Sequence, residues 1–306
     1  MARAEDGLMD LGVVLPQIRA EWDDVLQTAQ RAEELGLDSV WVIDHLTWMP
    51  PQLGILEAWT VLSALSTATQ RVELGAQVFC QSFRNPALFA KMAATLDHIS
   101  GGRFRLLIGA GWFEDEYRAF GYDFPSPGTR VDQLREAVLI LKGMLSGKDE
   151  PFTFRGEHYR ADGVVNAPAP ARARLPVEIG GSGDRVLGVV ARDADGWNCP
   201  SLALGDIDAR LAFLREQCDR HGRSFDELRI TCQITCTVGD EEAESRPDVA
   251  MFGPQSGLRG SVEQAAHRLG ELVAKGVTGF NCITPRGERG WPILERLMNE
   301  VKPKVV

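Results

Sequence analysis

An aspartate and a histidine follow directly on a short apolar run of the chain, at residues 40–43. Asp44 and His45 suit proton transfer, because an imidazole changes its charge near neutral pH and can act as a general acid or base. The carboxylate of Asp44 could orient that ring. A structural role is the alternative, in which the aspartate forms a salt bridge and the histidine caps a loop.

A glycine-rich segment, Gly180-Gly181-Ser182-Gly183, is the second candidate and precedes a helix-like stretch. Glycines let a backbone approach an anion closely, and the amides at a helix start offer donors and the positive end of the dipole. The segment matches neither a Walker loop nor the GxGxxG pattern. It therefore predicts a phosphate site, with a tight strand-to-helix turn as the structural alternative.

The third candidate is the segment 109–116, in which small residues precede an aromatic ring and several acids. Gly111 and its small neighbours would allow a flat ring to pack against the backbone. Trp112 and the acids, Asp115 among them, could line a pocket. A tryptophan at such a place can equally serve packing.

These candidates lie where apolar runs end, and the order of those runs predicts the fold. Eight such runs alternate with helix-length amphipathic stretches through nearly all 306 residues. This alternation is typical of an α/β fold, the (β/α)8 TIM barrel. In that fold the loops after the carboxyl ends of the strands form one mouth, so the candidates should share one site. The predicted strands are 11–16, 39–43, 72–79, 104–109, 177–179, 196–198, 229–238 and 279–283.

No linker rich in proline, glycine and serine divides the chain, so we expect a single domain over residues 1–306. Two segments interrupt the alternation of strands and helices. Residues 149–175 hold short β-like pieces and several prolines, and residues 239–260 are polar. We interpret both segments as insertions in one barrel.

The overall charge and hydropathy exclude several classes of partner. A formal net charge of −10 disfavours nucleic acid, because phosphate contacts need clustered Lys and Arg. No apolar stretch approaches the roughly 20 residues of a membrane-spanning helix. The N-terminus lacks the basic start and apolar run of a signal peptide. We therefore expect a cytoplasmic protein that binds neither nucleic acid nor membrane.

The cysteines and histidines show no metal-binding spacing. The 6 cysteines are scattered without a CxxC pair, and the 5 histidines form no HExxH motif. We therefore expect no metal site and no disulfide framework, which disfavours a metal-dependent barrel hydrolase.

Several separated motifs follow one another along the chain: Trp41–His45, Arg84–Lys91, Ala94–Asp97, Ser100–Arg103, Gly109–Trp112, Ile179–Gly183 and Ala194–Asn198. In this order they resemble the luciferase-like flavin and deazaflavin oxidoreductases, the family of bacterial luciferase. The resemblance covers nearly the whole chain and is strongest to the branch that uses the deazaflavin coenzyme F420.

The resemblance implies a tricyclic ring in the barrel mouth and a phosphate tail on the loop 180–183. It also implies a non-proline cis peptide between Gln77 and Val78 behind the ring, and an insertion near the seventh strand, which fits residues 239–260. The implied catalytic residues are His45 and Asp44. The implied coenzyme contacts are Asp44, Gln77, Val78, Gly111, Trp112, Asp115, Gly180, Gly181, Ser182 and Gly183.

One departure bears on the substrate. The sugar-phosphate dehydrogenases of the family place Glu and Asn where this chain has Trp112 and Asp115. A sugar phosphate is therefore not the expected substrate.

We predict an F420-dependent oxidoreductase that transfers a hydride to or from a small organic substrate. His45 would be the proton donor or acceptor, and Asp44 would orient it or contact the ring. Two alternatives stay open: a monooxygenase that uses reduced FMN, and a barrel that binds flavin without turnover. The resemblance also implies a homodimer.

Overall fold

The computed structural model describes residues 9–49, 53–148, 150–240, 242, 252–253 and 257–305. Within these residues eight parallel strands close into a ring, because the first strand pairs with both the second and the last. This confirms the predicted (β/α)8 barrel. The strands are β1 (Asp10–Val14), β2 (Ser39–Val42), β3 (Glu73–Ala76), β4 (Phe104–Gly109), β5 (Val177–Gly180), β6 (Gly196–Cys199), β7 (Arg229–Cys236) and β8 (Gly279–Ile283).

Helices cover the outside of the barrel and bury their apolar faces against the strands. Side-chain caps fix several of their starts: Asn85 accepts the amides of Ala87 and Leu88, which begins the helix at Pro86. The helices are α1 (Trp22–Leu35), α2 (Ala58–Ala68), α3 (Pro86–Ile99), α4 (Glu114–Ala119), α5 (Pro127–Met144), α6 (Asp184–Asp193), α7 (Ile207–Arg220), α8 (Val262–Ala274) and α9 (Gly290–Arg296).

The amino-terminal part of the barrel interior is filled by one tryptophan and a group of charged side chains. Gly75 makes room for them, since a Cβ there would lie 2.8 Å from the Trp41 ring and 2.7 Å from the carbonyl of Arg105. The Arg105 guanidinium stands 5.1 Å from the Trp41 ring centre. The charged group, the basal cluster, consists of Asp10, Glu73, Arg105, Glu178 and Arg229.

The basal cluster is held by its own ion pairs. Arg105 pairs with Glu178 and, at 3.5 Å, with Glu73, and Arg229 pairs with Asp10. Arg105 and Glu178 are only 5% and 4% exposed. Arg105 and Glu178 therefore fill the barrel interior at the amino-terminal ends of the strands.

The insertion predicted at 149–175 is described from residue 150 onward. It contains an antiparallel hairpin of Phe152–Arg155 and Arg160–Val164. Glu136 of α5 fixes the hairpin turn by accepting backbone N–H groups from residues 157–159. The insertion expected at 239–260 lies largely outside the described residues. Within its described part, Gly257–Leu258 pairs with the end of β7.

Candidate functional site

A cavity of about 970 Å³ lies at the carboxyl ends of the barrel strands. This is the end at which barrel enzymes carry their active sites. The cavity brings together most of the residues that the sequence predicted. Those that line it are Asp44, His45, Gln77, Val78, Gly111, Trp112, Gly180, Gly181 and Ser182.

Two predicted residues do not line the cavity. Asp115 lies exposed on the first turn of α4, and the next residue, Glu116, faces inward in its place. The predicted role of Asp115 is corrected accordingly, because successive residues on a helix point in different directions. Gly183 stands just beyond the lining as the N-cap of α6.

His45 is held by a buried carboxylate. Its Nδ1 lies 3.0 Å from Glu116 Oε2, and the two side chains are 14% and 2% exposed. Glu116 Oε1 also accepts the backbone N–H groups of Leu46 and, at 3.1 Å, Thr47. These contacts engage Nδ1 and fix the orientation of the His45 ring.

Asp44 does not bond His45. Its carboxylate takes two hydrogen bonds from Arg84, at 2.7 and 2.9 Å, and one from the backbone N–H of Cys80 at 2.8 Å. Arg84 also donates to Glu57 at 2.8 Å. Asp44 thus fixes the chain that follows β3. The prediction that Asp44 orients His45 is wrong, because Glu116 is the carboxylate that contacts the His45 ring.

The third barrel strand is interrupted at the cavity. A cis peptide joins Gln77 to Val78, as the resemblance implied. After this break, residues Phe79–Cys80 resume the strand by pairing with β4. Val78 projects between two glycines, since a Cβ on Gly109 or Gly180 would lie 2.5 Å from one of its methyl groups.

Gly111 is packed against a buried tyrosine. Its φ of +77° favours glycine, and a Cβ there would overlap the Tyr117 hydroxyl. That hydroxyl lies 2.8 Å from Cys80 Sγ and donates to Ser82 Oγ at 3.0 Å. Burial raises the pKa of the Cys80 thiol to about 12 and also raises the pKa of Tyr117. Both groups stay protonated at neutral pH and serve as hydrogen-bonding supports of the wall.

The glycine loop leads from β5 into α6. Gly181 has a φ of +129°, and its carbonyl accepts a hydrogen bond of 2.7 Å from Trp197 Nε1. Asp184 at the start of α6 would repel an anion, but Arg210 neutralises it with a bond of 2.7 Å and also reaches Ser182 O at 3.3 Å. The loop therefore presents amides without an unbalanced negative charge.

Aromatic rings surround the imidazole of His45. Trp48, Trp112 and Phe113 present edges to it, with ring centres 4.9, 5.6 and 6.2 Å away. Trp112 also stacks on Phe113, with ring centres 5.4 Å apart. Trp112 is 58% exposed, so it stands at the rim of the cavity.

Three contributors to the site were not singled out from the sequence. Glu116 was named only as one acid among several, and Arg84 and Trp48 were not proposed for the site. In the structure Glu116 is the only buried one of the neighbouring acids 114–116, a difference that residue type alone does not signal. Arg84 gave no signal because its partner Asp44 is 40 residues away along the chain. Trp48 lies close to His45 in the chain, but the sequence does not show that the two rings meet.

The described residues contain neither a candidate membrane-spanning helix nor a candidate metal site. Across them no helix is both long enough and apolar enough to cross a bilayer. They also contain no group of three or more His, Cys, Asp or Glu side chains placed to hold a metal ion. The cysteines described are free and buried.

Comparison with known protein families gives one match over most of the chain. The family model described as luciferase-like monooxygenase matches residues 8–279.

Two curated relatives are named for the same coenzyme. An F420-dependent glucose-6-phosphate dehydrogenase of Kineococcus radiotolerans is 32% identical over 232 residues, covering 74% of this chain and 68% of that protein. An F420-dependent hydroxymycolic acid dehydrogenase of Mycobacterium tuberculosis is 29% identical over 238 residues, covering 77% and 65%.

Among solved structures, an F420-dependent secondary alcohol dehydrogenase in complex with an F420-acetone adduct superposes with a TM-score of 0.82. The match covers 98% of this chain and 99% of that one at 22% identity. At this identity the likeness concerns the fold alone.

Proposed function

The chain belongs to the luciferase-like monooxygenase family, as its motifs predicted, and from this premise we propose that it is an F420-dependent oxidoreductase. It would transfer a hydride between the deazaflavin and a small organic substrate. The observation that carries the proposal is the imidazole of His45, which buried Glu116 holds at the cavity through Nδ1. Curated relatives named as F420-dependent dehydrogenases support the choice of coenzyme.

The described residues fit a planar ring with an anionic tail. At the cavity wall Val78 packs against Gly109 and Gly180, and Tyr117 packs against Gly111, each in the space where a Cβ would stand. Gln77 Oε1 is a buried acceptor without a partner among the described residues, so an N–H donor of a ligand would complete it. The loop 180–183 offers amides at the start of α6 for a phosphate.

A bound deazaflavin supplies the carbon that accepts or delivers a hydride. The chain handles the proton. Because the carboxylate of Glu116 accepts the Nδ1–H, Nε2 of His45 takes the proton of a substrate hydroxyl, or returns it to a carbonyl in the reverse direction. Glu116 also stabilises the imidazolium that forms. Asp44 acts one step further away, by holding Arg84 and the backbone of Cys80.

The coenzyme choice is tested by titrating the purified protein with F420 and, separately, with FMN, following the fluorescence of each. We expect saturable binding of F420 at least about tenfold tighter than that of FMN, a difference of about 1.4 kcal/mol. Tighter FMN binding together with oxygen consumption by reduced FMN would instead identify the monooxygenase alternative. Binding without turnover of any alcohol or ketone would support the non-catalytic barrel.

We also propose that the protein is a homodimer and that residues 1–306 form one domain. The surface offered for the dimer contains α2 and α3, the apolar helices after β2 and β3. On α3, Leu88 and Ile99 are 57% and 51% exposed. A second copy of this chain would cover these two side chains.

A further inference from the structure

We propose that the substrate is an uncharged alcohol or ketone with an apolar ring beside the reacting carbon, and that Trp112 selects it. This inference rests on the proposed function, because it names the substrate of the same site. In this proposal Trp112 contacts the substrate, whereas the family resemblance implied that it contacts the coenzyme.

The first support is the surface next to the proton-carrying nitrogen. Two rings that line the cavity, those of Trp48 and Trp112, have their centres 4.9 and 5.6 Å from the His45 ring centre. A substrate whose oxygen reaches His45 must place its neighbouring atoms against these rings. Aromatic walls favour apolar and aromatic groups, since such contacts add to the gain from burial.

The second support is that the carboxylates of Asp44 and Glu116, the two acids among the described residues that line the cavity, already carry hydrogen-bond partners. Both oxygens of Asp44 are engaged by Arg84, and one of them also by the Cys80 amide. Both oxygens of Glu116 are engaged by His45, Leu46 and Thr47. A sugar beside His45 would find neither of these carboxylates free to accept its hydroxyl groups, which weakens its binding.

The third support is the distribution of positive charge. Among the described residues that line the cavity there is no lysine, and the arginines are Arg19 and Arg286. They follow β1 and β8, whereas the aromatic wall follows β2 and β4. Arg286 donates to the carbonyl of Ile18. The described wall beside His45 therefore has no cation of its own for a phosphate-bearing substrate.

The step balances without a further reactant. In the oxidising direction the C–H bond of the alcohol breaks and its electron pair leaves as a hydride to the oxidised deazaflavin. The O–H proton passes to His45 Nε2. The alcohol is thereby oxidised to the ketone by two electrons and the coenzyme is reduced by two, and the reverse direction restores both.

The test compares cyclohexanol with glucose 6-phosphate as substrates of the F420-loaded protein. The measured quantity is the ratio of the two kcat/KM values, in which any difference in coenzyme loading cancels. We expect a preference for cyclohexanol of about 100-fold or more, and Trp112→Ser should lower that ratio about tenfold. Trp112→Phe should keep most of the preference because it retains an aromatic ring.

The matched control is Phe120→Ser. Phe120 is also an exposed aromatic, 52% accessible, but it lies past the end of α4 and does not line the cavity. Its ratio should equal that of the unchanged protein. A preference for glucose 6-phosphate, or a ratio that Trp112→Ser leaves unchanged, would overturn the inference.

A binding measurement separates failure of the inference from failure of the proposed function. Saturation-transfer NMR on the protein, with and without F420, should show contact to the ring protons of cyclohexanone that weakens in Trp112→Ser. Glucose 6-phosphate should show no comparable contact. If F420 does not bind, the proposed function fails while this measurement still decides the substrate class. Absence of any cyclohexanone contact would reject the inference even if F420 binds.

Discussion

The carboxylate of Glu116 joins three neighbours with its two oxygens. It accepts the backbone N–H groups of Leu46 and Thr47 and the Nδ1–H of His45. These contacts tie the loop after β2 to α4, and in the proposed reaction they leave Nε2 to face the substrate. A change at this residue should therefore affect proton transfer more than coenzyme binding.

We predict that His45→Ala lowers kcat about 10²–10⁴-fold, because the proton loses its carrier.

Glu116→Gln should lower kcat about 10–100-fold, as for other carboxylates that orient an imidazole. An amide that turned its NH2 toward Nδ1 would favour the tautomer with the proton on Nε2. Stopped-flow measurement of F420 reduction, combined with F420 titration, gives kcat and the coenzyme Kd separately.

The control for Glu116→Gln is Glu114→Gln. Glu114 lies two residues earlier on α4 and forms a surface pair with Arg118. Exposed pairs contribute little, so this variant should behave as the parent does. If Glu116→Gln weakened F420 binding and left kcat intact, the carboxylate would have a purely architectural role.

The sequence could identify His45 and the glycine loop, because local residue types and strand ends carry that information. It could not pair His45 with Glu116, since 71 residues separate them and only the barrel brings them together. The same reason hid the pairing of Asp44 with Arg84, 40 residues away. Local sequence thus located residues that line the cavity but not the partners of their side chains.

At the scale of elements, the loop from β5 into α6 has a conformation that depends on one glycine. Gly181 has a φ of +129°, and a Cβ there would lie 3.3 Å from a Val186 methyl group. An L side chain at this position is strained and crowds the cavity edge. The amides of the loop would then move away from an anion held at the helix start.

We predict that Gly181→Val raises the Kd for F420 at least about tenfold. Gly188→Ala is the matched control, because Gly188 lies on α6 with nothing within 4 Å of an added Cβ, and alanine favours a helix. Fluorescence titration of both variants measures the effect. A Kd unchanged by Gly181→Val would remove this loop as the phosphate site.

Strand positions were predictable from apolar runs, and the strand predicted at 104–109 coincides with β4. The strand predicted at 72–79 is in fact broken at Gln77-Val78 and resumes at Phe79, which a composition of strand-forming residues does not signal. The six-residue helix α4 was also missed, because a periodic pattern needs more turns to be recognised.

At the scale of the whole molecule, the barrel separates a packed base from an open mouth. The basal cluster fills one end with ion pairs, and the cavity occupies the other. The alternation of elements predicted this architecture, but not the charged interior at the base. Asp10, Glu73 and Arg229 begin their strands, where charged residues also suit solvent. The sequence alone does not distinguish the two locations.

For the assembly, we predict that light scattering gives twice the mass of one chain and that Leu88→Glu shifts the protein toward the monomer. A charge at a buried interface position is costly, and removing the leucine side chain forfeits about 1.5–3 kcal/mol of apolar burial. Phe120→Glu, at an exposed aromatic outside α2 and α3, should leave the mass unchanged. A monomeric parent protein, or dimers that persist in Leu88→Glu, would contradict this interface.

The ion pairs of the basal cluster close the barrel interior at the amino-terminal ends of the strands. In the proposed reaction the alcohol and the ketone would therefore enter and leave through one opening, whose edge carries the exposed ring of Trp112. Substitutions at that edge would then affect product release as well as substrate entry.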